Sequence, residues 1–459
     1  MKNIRLALAV LTAIIVLQPV FSQENAASER QLNTLRYGTE TEIASLINTL
    51  KNERDNSLDE ELIKLAEVSR NRNILIGIFS FFGEEEKTGL EERAIRILEE
   101  RDDEAGDTVL AAINYLGWLK VSAAVDTLRL LVNSGESRYQ NTAIRALGRA
   151  ARGGDEQLAD DTADFLLSYY KDKNPSAEDQ REIITALGET GSVNTIEFLS
   201  SLITNNDERA VLRMAALESI SKIPNSGNQG LDAVISAVSA SDPNVRSSAI
   251  AALGPFSGAL AEQAILDGFR DSYYRTRMGA AQAAGQRKME EAVPYLRYRA
   301  ENDEVPAVKD EAIKALGEIG NAEAIRTLDA IFSERKNSDR VRIIAAEMLL
   351  KIDSPSWASK VIVELDDAKA THQTALYNGF LRVLGPSVSP SLESLARRFF
   401  ASGTVVEISY ALDMVLNNEF RNMAAEVRLL LDERRNNASI VRKAALTLER
   451  LGLEATAAE

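Results

Sequence analysis

Between Asp242 and Phe332 one arrangement of apolar and polar positions is written almost three times. Val245, Ala249, Ile250 and Leu253 recur at helical spacing, which predicts a first helix with one apolar stripe. Asp242 is placed to cap it, and Pro243 suits the first helical position because its missing N–H would go unbonded there anyway. Gly254-Pro255 is expected to stop it, glycine by a left-handed cap and proline by breaking the ladder. The pattern returns at Thr276-Arg277, Ala280 and Ala284-Gly285, and again at Val308-Lys309, Ala312 and Leu316-Gly317. A second apolar stretch follows each time, as in Ala324, Ile325, Leu328 and Ile331. Two such helices cannot bury both stripes alone, so each pair has to stack on its neighbours. Small residues at Ala249, Ala280 and Ala312 permit close approach.

With the residue that closes each first helix as a marker, further copies end at Gly38, Gly83, Gly117, Gly148, Gly188 and Ser221. Later ones end at Leu350, Gly385, Asn417 and Gly452, giving about 13 units. Two long gaps are expected to hold polar loops, at Asn52 to Asn56 and at Gly153-Gly154-Asp155 with Lys171 to Asn174. Residues 23–459 therefore read as one elongated domain: a capping repeat at 23–56, tandem repeats at 57–453 and a tail at 454–459. The apolar run Ile74, Ile76, Ile78, Phe79, Phe81 and Phe82 is expected to lie between two units.

These units resemble HEAT repeats of the short, lyase-associated kind. Val245-Arg246, Ala249 and Ala252-Leu253-Gly254 match that pattern, as do Val308-Lys309, Ala312 and Ala315-Leu316-Gly317. The resemblance implies an all-α fold, a right-handed α-solenoid of about 12–13 helix pairs with the second helices on its concave side. It also implies a surface presented to another protein, and is nearly silent on which one.

Met1 to Ser22 stands apart. Lys2 and Arg5 precede an apolar run from Leu6 to Leu17, too short for a spanning helix of about 20 residues. A secretory signal cleaved after Ser22 is the expectation, with a periplasmic or secreted product and no later membrane span. The chain has no cysteine, which removes lipid attachment at that residue, disulfides and thiolate metal sites. Its net charge is −16, and without Lys2 and Arg5 it is −18, so nucleic acid is not an expected partner.

Little in the chain points to catalysis. His372 is the one histidine, and it is expected on the first turn of a helix. Some HEAT-repeat enzymes, such as deoxyhypusine hydroxylase, bind two irons through paired His-Glu motifs, whereas here Gln373 follows His372. No Gly-x-Ser-x-Gly turn and no phosphate-binding glycine loop with lysine occurs. A lyase-type enzyme or ligand-binding relative, and a self-associating envelope component, are the alternative classes. No cofactor, metal or catalytic residue is assigned.

Two constellations remain. Arg213, Arg246, Arg277, Lys309 and Arg342 occupy one repeat position, preceded by Asp207, Asp242, Asp271, Asp303 and Asp339. Paired, the two columns tie each helix start to its neighbour; unpaired, the cations would form a track for anions. The second is the segment 270–299, which carries a net +4 and four of the eleven tyrosines. In it Val293, Leu296 and Ala300 form a core stripe, leaving Tyr295 and Tyr298 on another face. Tyr273, Tyr274, Arg275, Arg277, Arg287, Lys288, Tyr295, Arg297, Tyr298 and Arg299 are the expected protein-binding residues, since Arg and Tyr dominate interface energetics. The other account has the tyrosines packing on the next unit. The sequence thus predicts a non-enzymatic scaffold of the cell envelope for an unidentified protein partner.

Overall fold

Asp242 begins its helix as the pattern requires: its carboxylate accepts from the Asn244 N–H at 2.8 Å, and Pro243 takes the first turn. The computed structural model describes residues 21–173, 175–224, 227–432 and 437–453, with the side chains of 21–28 excepted. Among these residues there are helices and no strand. The expected signal segment lies outside them, save for Phe21 and Ser22, which open the helix Phe21–Tyr37; so does the tail at 454–459. The described part consists of two compact units dividing between Glu262 and Gln263.

In the first unit, helix pairs alternate strictly. The first (A) helices include Arg72–Glu84, Gly106–Trp118, Gln140–Arg152, Ala177–Thr190 and Ala210–Ile220. Their partner (B) helices include Glu91–Glu99, Val125–Ser134, Glu156–Asp172 and Ile196–Thr204. One contiguous apolar core runs from Leu35 to Leu187. Ile74, Ile78, Phe79, Phe81 and Phe82 are buried in it, and only Ile76 of that run is half-buried. The second unit repeats the design. Its A helices are Tyr274–Gln286, Pro306–Ile319, Thr374–Leu384, Val405–Asn417 and Ala438–Arg450. Val293–Asn302, Ala322–Ser333, Leu392–Ser402 and Ala424–Leu429 are its B helices. The stretch Asp339–Ala370 is an A and a B helix joined at Asp353, whose φ of −155° and ψ of 82° break the ladder.

Successive A helices pack on each other more closely than successive B helices do, and the marker glycines are the reason. A Cβ on Gly117 would lie 3.0 Å from Ala146 Cα, and one on Gly188 would lie 2.6 Å from Ser219 Cα. Gly117 and Gly188 sit inside their helices. Gly254 follows Leu253 without taking the left-handed conformation, which corrects the expectation of a left-handed glycine cap at Gly254. Three other placements differ from expectation. Lys171 and Asp172 extend the helix Glu156–Asp172 instead of forming a loop, so a longer B helix absorbs that gap. Asn52 and Glu53 likewise end a helix, Glu40–Glu53. His372 is exposed in the connection before Thr374, with a left-handed φ of 59°, and not on a helix turn.

Candidate functional site

The column of cations finds its acceptors behind it. Each donates to main-chain carbonyls at or just beyond the end of the preceding B helix, where four C=O groups have no helical partner. In the first unit Arg213 reaches Ile203 O at 3.1 Å, and Arg246 reaches Ala240 O and Ser241 O at 3.0 and 3.1 Å. In the second, Arg277 bonds the carbonyls of Asp271 and Ser272, both at 3.1 Å. Lys309 reaches Glu301 O at 2.8 Å and Arg342 reaches Phe332 O at 2.9 Å. A cation there also meets the negative end of the helix dipole.

The acids do something different. Carboxylates of Asp242, Asp271 and Asp303 accept the N–H two residues on, at the start of the next A helix. Of the five, Asp303 also forms the centre of a buried ion cluster. Arg277 grips it with two parallel bonds of 2.8 Å, and Arg299 reaches it at 3.3 Å. The Asp303 side chain has no exposed surface. Burial pushes its carboxyl pKa up, but hydrogen bonds from Arg277 and the Val305 N–H, with both arginine charges, more than offset this and hold it below the usual value. The same Asp303 bond raises the Arg277 guanidinium. Arg277 therefore takes its carboxylate from one repeat onward, not from the acid preceding it. Arg342 also bonds an acid that follows it, Glu364 on the B helix of its own pair, at 2.6 Å. Asp207 contributes its N–H to Asn205, and Asp339 opens the first turn of its helix.

A second internal node resembles this one. Glu407 closes a capping box with Thr404 and accepts from Lys369 at 2.6 Å and from Tyr377. Burial opposes its ionisation, yet those bonds bring its pKa down to about 2.

The residues of segment 270–299 separate into groups. Phe269, Arg270, Pro294, Tyr295, Tyr298 and Arg299 line a shallow groove of about 290 Å³ beside the helix Val293–Asn302. Buried Phe269 stacks on Tyr295, with centroids 5.6 Å apart at 27°. Arg270 lies 5.2 Å over the same ring and donates to its hydroxyl at 3.2 Å. Arg299 lies 5.4 Å over Tyr298, whose ring is 58% exposed, and bonds Phe269 O at 2.5 Å. Val293, Leu296 and Ala300 are buried beneath, and Arg297 is exposed on the same helix.

Tyr273, Tyr274 and Arg275 form a separate set at the start of the helix Tyr274–Gln286, where Arg275 bonds the Tyr274 hydroxyl at 3.1 Å. Arg287 and Lys288 stand at the other end of that helix, about 20 Å away by helical rise. Arg277 is interior. The structure thus gathers Tyr295, Tyr298 and Arg299, and adds Phe269, Arg270 and Pro294. Composition alone picks out Arg270 as a charge; only the fold brings it over Tyr295.

Stacked helix pairs, an apolar core shared between them and a column of five cations bonded to the carbonyls after the preceding B helices define an α-solenoid protein of the HEAT class. More narrowly, the chain belongs to the family of spirochaete HEAT repeat proteins, whose profile matches residues 35–447. No curated protein matches the chain. Solved structures similar to it include the karyopherin Kap121p bound to the extreme C-terminus of the protein phosphatase Cdc14p. That match has 12% identity and a TM-score of 0.42, covering 92% of this chain and 53% of the other. The Kap95:Nup1 complex has 13% identity and a TM-score of 0.43, covering 98% and 75%. Human deoxyhypusine hydroxylase has 19% identity and a TM-score of 0.26, covering 60% and 97%. The chain spans about half the length of the Kap121p chain it matches.

Proposed function

We propose that the chain is a non-enzymatic scaffold that binds a protein through the B-helix surface around Tyr298. The observation that carries this is the Arg270–Tyr295–Tyr298–Arg299 face. An aromatic ring that is 58% exposed stands beside a second ring fixed between Phe269 and Arg270. Rings and guanidinium groups held in place before contact lose little entropy on binding, and Tyr and Arg are the commonest anchors of interfaces. In a chain of net charge −16 this basic face selects an acidic patch on the partner. The test is capture of a partner from native extract by the purified chain. Arg270→Glu with Tyr298→Ala is expected to lose a partner that the parent retains, and raised salt to weaken that capture. Retention of every partner by the double variant would remove this face.

Export belongs to the same proposal and rests on the charged start and apolar run of Met1–Ser22. N-terminal sequencing of the protein from cells is expected to begin at Gln23; a chain beginning at Met1 would overturn export.

A further inference from the structure

We infer that the second unit carries another binding site, a groove at the joint Asp353 that takes an apolar side chain of a partner protein with a carboxylate beside it. The groove holds about 540 Å³, within the range of ligand pockets. Leu350 and Val383, 5% and 6% exposed, form its floor. One wall is the break itself. Asp353 leaves the helical conformation, and its carboxylate accepts from the Ser356 N–H and hydroxyl at 3.2 and 2.6 Å, restarting the helix at Pro355. The opposite wall is the connection after Leu384, which Asn417 and Asn418 pin through Gly385 O at 3.2 Å and Ser387 O at 2.9 Å. Both walls are therefore fixed before any ligand arrives. Val388, 55% exposed, stands on the lip of the groove.

Polar groups set the chemistry. The Ser354 hydroxyl beside the groove has no hydrogen-bond partner among the described residues. Lys351 and Glu347 neutralise each other at 2.8 Å. Arg382, exposed on the rim, has no ion-pair partner among the described residues. The rim is left with one positive charge over an apolar floor, which complements a peptide segment pairing an apolar residue with an acidic one. This site is independent of the face around Tyr298.

The test is fluorescence anisotropy of the full chain with a fluorescein-labelled peptide, Gly-Ser-Leu-Phe-Asp-Glu-Gly. A version with lysines in place of the two acids and a titration with dodecanoate serve as comparisons. Saturable binding is expected, weakened about tenfold by Arg382→Glu and by Val388→Asp. Tyr298→Ala is expected to leave it unchanged, which separates this site from the other. Both substituted positions are exposed, and unchanged far-UV circular dichroism will show that the variants fold. Equal affinity in both variants, equal binding of the lysine peptide, or binding of dodecanoate but not the peptide would overturn the inference.

Discussion

A carboxylate with no exposed surface has to be held by donors, and Asp303 has two arginines and a backbone N–H. Replacing it with asparagine leaves the Arg277 charge buried without its counter-ion, which costs about 3–5 kcal/mol. Urea unfolding of Asp303→Asn at neutral pH is expected to show that loss. Because the folded carboxyl pKa lies below its unfolded value, the contribution is present at neutral pH. It is lost as pH falls from about 4 through the lowered folded value. The variant should therefore lose part of the parent's acid sensitivity, and a parent-like midpoint and pH profile would contradict the role. Repeat spacing alone exposed the column of cations, since one side chain per 31 to 33 residues is a property of the sequence. Their acceptors were not legible. A carbonyl at a helix end carries no residue signature, and the Arg277–Asp303 pair is visible only once the helix Val293–Asn302 is folded between its two partners.

At the scale of the helix, close packing of neighbouring A helices explains marker glycines such as Gly117 and Gly188. Glycine near the end of a helical stretch suggests a cap, and the sequence holds nothing to distinguish that from a contact. Gly188 is a contact: the neighbouring A helix approaches so near that Ser219 donates to Ile184 O across the gap at 2.8 Å. A methyl group at Gly188 would meet Ser219 backbone, which cannot swing aside, so Gly188→Ala is expected to destabilise by about 1–3 kcal/mol. At Gly77 the methyl would meet only the Ile47 side chain at 3.2 Å. There the gain in helix propensity offsets the crowding, and Gly77→Ala should change stability by less than about 1 kcal/mol. Thermal unfolding of the two variants checks the contrast, and equal effects would contradict it.

Over the whole molecule, the period of the apolar stripe was enough to establish helix pairs, their stacking and the family, whose profile spans residues 35–447. Segment 270–299 was legible as composition but not as a surface: Arg277 turned inward, Arg287 and Lys288 fell at a helix end, and Phe269 entered from outside it. The claim on which the functional account rests is that Tyr298 faces a partner. Incorporating p-benzoylphenylalanine at position 298, or at exposed Gln282 on the A helix of the same pair, and irradiating cells tests it directly. The account predicts one discrete high-mass adduct from position 298, absent from position 282 and lost on adding Arg270→Glu. No adduct at 298, or the same adduct from both positions, would contradict it.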